Sequence, residues 1–152
     1  MQLILVSGLS GSGKSIVLNV LEDAGYYCVD NLPAEFVPQL IELMQEEGRN
    51  QVAISIDVRS GDTLKQVPQQ ITAHKHQGFD VRVPFLEANT DTLVKRYSEP
   101  RRRPPLSAGE RTLPECVEAE REALANIGEL AHHIDTSELS PNTLRGWIKD
   151  FL

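Results

Sequence analysis

One stretch of this chain combines residue types and spacing into a recognisable piece of chemistry: Gly8-Leu9-Ser10-Gly11-Ser12-Gly13-Lys14-Ser15. It follows the apolar run Leu3-Ile4-Leu5-Val6 and precedes Ile16-Val17-Leu18-Asn19-Val20-Leu21. The spacing G-x-x-x-x-G-K-[ST], in a strand–loop–helix context, is that of the Walker A phosphate-binding loop. A triphosphate needs many donors converging on one point with no side chain in the way. Gly8, Gly11 and Gly13 can take backbone angles closed to other residues, so successive N–H groups of the octapeptide turn inward around the phosphate oxygens. A helix opening near Gly13 adds its unpaired N–H groups and the positive end of its dipole. Lys14 supplies a mobile charge for the β- and γ-phosphates, and the Ser15 hydroxyl is placed to ligate Mg²⁺. The expected ligand is a nucleoside triphosphate with Mg²⁺.

Other polar residues fall where strands are expected to end, which is where ligands sit in open α/β sheets. Asp57 closes the apolar run Val52-Ala53-Ile54-Ser55-Ile56 and is a candidate second carboxylate on the metal side of the phosphates. The competing role is a turn residue before Gly61. Asp30 closes the short run Tyr26-Tyr27-Cys28-Val29 and could orient an attacking water or hydroxyl. It could equally cap the helix that Pro33 opens. Arg96, Arg101, Arg102 and Arg103 form a local basic patch whose guanidinium groups suit planar phosphate recognition and charge stabilisation in phosphoryl transfer. A solvated charged face is the alternative. His74 and His76 lie two apart and so not on one helical face, and the adjacent His132 and His133 point oppositely on a strand, so neither pair has the geometry of a metal site.

The elements that must carry these residues alternate between strand and helix signals. Five strands are expected: Leu3–Val6, Tyr26–Val29, Val52–Val58, Asp80–Leu86 and Ala131–Ile134. Pro84 is an anomaly in the fourth, because proline removes a ladder donor. Helices are expected from Gly13 to about Ala24, Pro33 to Glu47, Asp62 to Gln77, a start at Asn89 or Thr90, Pro114 to Leu130, and Ser140 to the end. In the last of these, Leu144, Trp147, Ile148 and Phe151 are expected to form the buried stripe. The stretch from Ser98 to Arg111, rich in Arg and Pro and without apolar periodicity, is expected to be a long exposed loop. The pattern predicts an α/β fold: a five-stranded parallel sheet with helices on both faces.

The 152 residues make one domain of ordinary size. Hydrophobic content of 40% and charged content of 24% suit a soluble globular protein. No apolar run approaches the roughly 18 residues of a membrane span, and no signal peptide precedes the loop. Cys28 and Cys116 are too few for a disulfide framework and are expected to be buried or half-buried; the cytosol is the expected compartment. A net charge of −7 argues against nucleic-acid binding over the whole surface.

Several stretches together resemble the RapZ/YvcJ family of bacterial nucleotide-binding proteins. They are the loop Gly8 to Ser15, the block from Leu21 to Pro33 that ends Val29-Asp30-Asn31-Leu32-Pro33, and Ser55-Ile56-Asp57-Val58-Arg59. Arg96-Tyr97 with Arg101-Arg102 and Pro105-Leu106, and Asp135-Thr136-Ser137-Glu138-Leu139, add to it. The resemblance implies a P-loop fold similar to the nucleoside monophosphate kinases, with ATP and GTP both bound and hydrolysed. It carries an ATP site onto Gly8 to Ser15 and a guanine-nucleotide motif onto Asp57-Val58-Arg59-Ser60, where Ser60 replaces the family's usual asparagine. Members are nearly twice this length, so the chain is expected to be their N-terminal domain alone. Small-RNA binding belongs, in that resemblance, to the half not present here. Slow hydrolysis with Lys14, Asp30 and Asp57 as catalytic groups is the expected activity. The alternatives are a kinase acting on a neutral hydroxyl acceptor and a non-catalytic module that nucleotide merely switches. An anionic acceptor is disfavoured because no arginine occurs before Arg49. Oligomerisation is left open.

Overall fold

A computed structural model describes residues 1–9, 11–56, 63–98 and 112–151. Its strands are β1 (Gln2–Gly8), β2 (Tyr27–Val29), β3 (Gln51–Ser55), β4 (Asp80–Arg82), β5 (Pro84–Glu87) and β6 (His132–Asp135). Its helices are α1 (Lys14–Asp23), α2 (Val37–Glu46), α3 (Val67–His76), α4 (Thr90–Ser98), α5 (Leu113–Gly128) and α6 (Pro141–Phe151). Short 3-10 turns over Ala34–Phe36 and 63–66 lead into α2 and α3.

All strand pairings are parallel, in the order β2-β3-β1-β5-β6, with β4 also paired to β1. Among the described residues there are six strands where the sequence predicts five, because Asp80–Leu86 is divided at Val83. β4 pairs with the beginning of β1 (Gln2↔Asp80) and β5 with its end (Ser7↔Phe85), so the two are one interrupted track. Pro84 lies at the break, and proline has no N–H to give a continuous ladder.

Strand β1 lies at the centre of the sheet, and its side chains alternate between two cores as strand geometry requires. Leu3 and Leu5 join Val52, Ile54 and Phe85 under α2, α3 and α5. Ile4 and Val6 join Ala53, Leu86 and Ile134 under α1 and α6. Leu3, Val6, Val52, Ile54 and Leu86 have no exposed surface, and each such side chain contributes about 1.5–3 kcal/mol of burial. Helices on both faces thus explain why the central strands read as nearly unbroken apolar runs.

The helix starts follow their capping residues. Asn89 accepts from Thr92 N at 2.8 Å to open α4, and Thr112 and Glu115 form a full capping box on α5. One expectation about packing fails. Leu144 and Ile148 form the buried stripe of α6, but Trp147 is 49% exposed and does not belong to it. Position 147 is three residues from 144 but only one from 148, which swings it to the flank of the helix. Cys28 is half-buried and Cys116 buried, both as free thiols. No described helix is long and apolar enough to cross a membrane.

Candidate functional site

The carboxyl end of β1 runs into Gly8, where φ is 142°. A Cβ here would lie 2.3 Å from the Leu86 carbonyl oxygen, so only glycine lets the loop turn away against β5. Leu9 N then donates to that same oxygen at 3.1 Å, and Ser12 N to Leu9 O at 3.1 Å, which winds the loop into a closed turn. Gly11 and Gly13 take φ of 79° and 110°. Left-handed residues alternating with others in a turn bring successive backbone N–H groups to one side, the concavity that binds anions.

Helix α1 starts at this loop with Gly13 as its N-cap, without a side-chain cap and without an acidic residue in its first turn. Its first N–H groups and the positive end of its dipole therefore face the loop. Lys14 Nζ donates to Gly8 O at 2.9 Å, so the ammonium folds back across the mouth of the loop. The Ser15 hydroxyl is exposed on the same first turn. Ser10 lies outside the described residues.

Beside the loop, β2 and β3 bring Asp30 and Ser55 together. Ser55 Oγ donates to Asp30 Oδ1 at 2.6 Å and accepts from Asn31 N at 2.6 Å. Asn31 has φ of 56°, a left-handed value that asparagine tolerates better than most residues. The exposed carboxylate is thus held in one orientation by a buried serine. Ile56 N donates to Val6 O at 2.9 Å at the end of β3; Asp57, Val58, Arg59 and Ser60 lie outside the described residues.

On the other side, Arg96 and Thr136 grip the loop from outside. Arg96 donates to Gly11 O at 2.8 Å and to Thr136 O at 2.7 Å. Thr136 Oγ1 donates to Ser12 O at 2.8 Å. Arg96 is therefore a structural neighbour of the loop's backbone, which refines its reading as one of a cluster of phosphate-facing arginines. Arg101, Arg102 and Arg103 lie outside the described residues. Burial pulls the Arg96 pKa below its ordinary value, opposed by the Asp135 carboxylate, and a guanidinium stays cationic throughout. Asp135 is itself held below the usual carboxylate range, chiefly by the Ser137 hydroxyl that donates to it at 2.6 Å.

Between these groups lies a cavity of about 230 Å³, lined by Gly11, Ser12, Gly13, Ile16, Arg96, Thr136, Leu139, Ser140, Pro141 and Leu144. Pockets for whole drug-sized ligands start at roughly 300 Å³, so this one has room for only part of such a ligand. A larger depression of about 720 Å³ lies at Met1, Gln2, Gly25, Arg49, Asn50 and Gln51, at the amino ends of the strands and away from the loop. Ligands of such sheets bind at the carboxyl ends, so the smaller cavity is the one belonging to this site.

Sequence reasoning quoted Ser55, Thr136 and Leu139 only as marks of the resemblance and gave no role at the site to them or to Ser140 and Pro141. The signal available was position: Thr136 follows the last strand, where polar loop residues meet a ligand. The histidines are dispersed. His74 stacks on Phe79, His133 lies against Phe85, and His132 against Phe151. Among the described residues, no group of three or more His, Cys, Asp or Glu could hold a metal.

A nucleotide-binding protein of Aromatoleum aromaticum is 56% identical over 152 residues, covering 100% of this chain and 52% of its own length. The chain spans about half the length of the curated relatives it matches. Among solved structures, the tunicamycin resistance protein of Deinococcus radiodurans is similar in fold, with a TM-score of 0.65 at 15% identity, covering 99% of this chain and 94% of that one. The Bacillus subtilis YorR protein, solved in complex with phosphorylated GDP, has a TM-score of 0.58 at 18% identity, covering 98% of this chain and 94% of that one. The loop, the parallel sheet and the flanking helices make this a P-loop fold of the kinase-like type, and the RapZ-like N-terminal domain model matches residues 1–152. The chain belongs to the RapZ-like N-terminal domain family.

Proposed function

We propose that this domain binds ATP and GTP with Mg²⁺ and hydrolyses them slowly, serving as a nucleotide-sensing regulatory unit. The observation that carries the reading is the convergence at one point of three left-handed glycines, an uncapped helix start and the Lys14 ammonium. A loop of this kind at a helix start suits a multiply charged anion. The base would enter the cavity beside Arg96 and Pro141. The relatives' name and the GDP derivative held by YorR support a nucleotide as that anion.

In hydrolysis a water oxygen bonds to the γ-phosphorus as the bond to the β,γ-bridging oxygen breaks, releasing inorganic phosphate and the diphosphate. Lys14 neutralises charge on the transferring group. Asp30, fixed by Ser55, orients the water. Mg²⁺ keeps several water and phosphate ligands and takes one or two protein groups, so the exposed Ser15 hydroxyl is a donor suited to it, with Asp57 as the expected carboxylate. When bound, the ion supplies charge neutralisation on the phosphate oxygens.

The second reading, a kinase for a neutral hydroxyl compound, rests on the same Asp30, exposed and aligned beside the loop. Calorimetry should detect ATP and GTP binding that Lys14→Ala abolishes; unchanged binding in that variant would defeat the assignment. A screen of sugars and nucleosides for phosphorylated product separates the two activities. Transfer faster than phosphate release would replace hydrolysis by the kinase reading.

A further inference from the structure

The two groups that grip the loop from outside touch its carbonyl oxygens, and this bears on which way its N–H groups point. A trans peptide is planar, with C=O and N–H on opposite sides. Thr136 Oγ1 donates to Ser12 O at 2.8 Å, so the N–H of Gly13 is turned away from Thr136 and into the concavity. Arg96 donates to Gly11 O at 2.8 Å, and the same peptide's N–H, that of Ser12, reaches Leu9 O at 3.1 Å inside the turn. Two consecutive peptides of the loop are thus set by side chains from distant parts of the chain.

The two groups also brace each other. Arg96 reaches the Thr136 carbonyl at 2.7 Å and its hydroxyl at 3.3 Å. Thr136 is in turn anchored to the end of β5, where its N–H donates to Glu87 O at 2.7 Å. The hydroxyl is also 3.1 Å from Glu87 O, but it carries one proton, and the shorter contact is the one to Ser12. Thr136 is 2% exposed, so neither hydroxyl nor carbonyl can turn to water instead. Glycine-rich segments have many accessible backbone states, and a loop that must present N–H groups in one orientation loses affinity by the fraction of time it spends in others.

We propose that Thr136, braced by Arg96, is a positioning residue of the phosphate loop: it holds the Ser12–Gly13 peptide with its N–H toward the bound phosphates. The proposal rests on the nucleotide reading of the loop. It requires that Thr136 act on phosphate affinity even when no base is present, although Thr136 also lines the base cavity.

Inorganic tripolyphosphate, which has no base, is therefore the deciding probe, with ATP and GTP measured alongside. Thr136→Val removes the hydroxyl at nearly constant shape and should weaken binding of tripolyphosphate and ATP alike, by about tenfold for one lost buried hydrogen bond. Thr136→Ser keeps the hydroxyl and should bind within about twofold of the parent. Arg96→Gln should also weaken tripolyphosphate binding, because the outward brace on Gly11 is lost. Should Thr136→Val not fold, the serine variant and Arg96→Gln carry the test. Equal tripolyphosphate affinity in Thr136→Val or Arg96→Gln, or a loss confined to ATP and GTP, overturns the proposal. A parent protein that binds none of the three probes would instead overturn the nucleotide reading itself.

Discussion

Single residues at the loop and in the core carry sharply different tolerances. At Gly8 an added methyl meets backbone, the Leu86 carbonyl oxygen at 2.3 Å, which has nowhere to move inside a sheet. Gly48 also has positive φ, at 74°, but nothing lies within 4 Å of its missing Cβ. Gly8→Ala is expected to cost about 3 kcal/mol or more, and Gly48→Ala roughly 1 kcal/mol for the left-handed angle alone. Urea unfolding of the two variants tests this, and equal costs would refute the contact argument. His74 gives a pH signature. It is 6% exposed, and neither ring nitrogen has a hydrogen bond of good geometry among the described residues. Burial pushes its pKa below the ordinary histidine value, with the Gln77 side chain opposing in part. Between the lowered folded value and the unfolded value near 6.5, the unfolded chain binds more protons, so stability falls as pH drops through that window and levels off below it. His74→Phe should flatten this portion of the stability profile, read from urea midpoints between pH 7.5 and 5.

At the scale of elements, α6 separates apolar character from burial. Ile148 is 1% exposed and Trp147 49% exposed, although they are sequence neighbours on one helix. Ile148→Ala should destabilise by about 2–4 kcal/mol and Trp147→Ala by about 1 kcal/mol or less. Trp147 is the single tryptophan, so its fluorescence should be readily quenched by iodide in the folded state. Protection from iodide would contradict the exposed flank. The loops at the ends of β1, β5 and β6 are also tied together, through Arg96, Thr136 and the bond from Asn89 N to Ser137 Oγ at 2.8 Å.

For the whole molecule, a ligand that binds only the folded state stabilises it by mass action, about 2.7 kcal/mol at a hundred times Kd. For a chain of this size that raises Tm by about 5–10 °C. ATP or GTP with Mg²⁺ should produce such a shift, and Lys14→Ala at the same concentration should not. Absence of a shift at nucleotide levels that saturate a binding assay would show that the ligand also binds the unfolded chain.

The sequence by itself determined most of the architecture. Short, nearly continuous apolar runs alternating with helical patterns read as central parallel strands, and Asn89 and Thr112 have the side chains that cap helices. The octapeptide needed no tertiary information either, because its chemistry is local: glycine angles, a helix start and a lysine one residue beyond. What the tertiary structure decided was long-range. Thr136 contacts Ser12 across 124 positions and Arg96 contacts Gly11 across 85, and no local periodicity records which side chain will reach a carbonyl so distant. The interruption at Pro84 and the exposure of Trp147 are of the same kind. A missing N–H or an apolar ring is visible in the sequence, but its consequence depends on which strand or helix lies opposite.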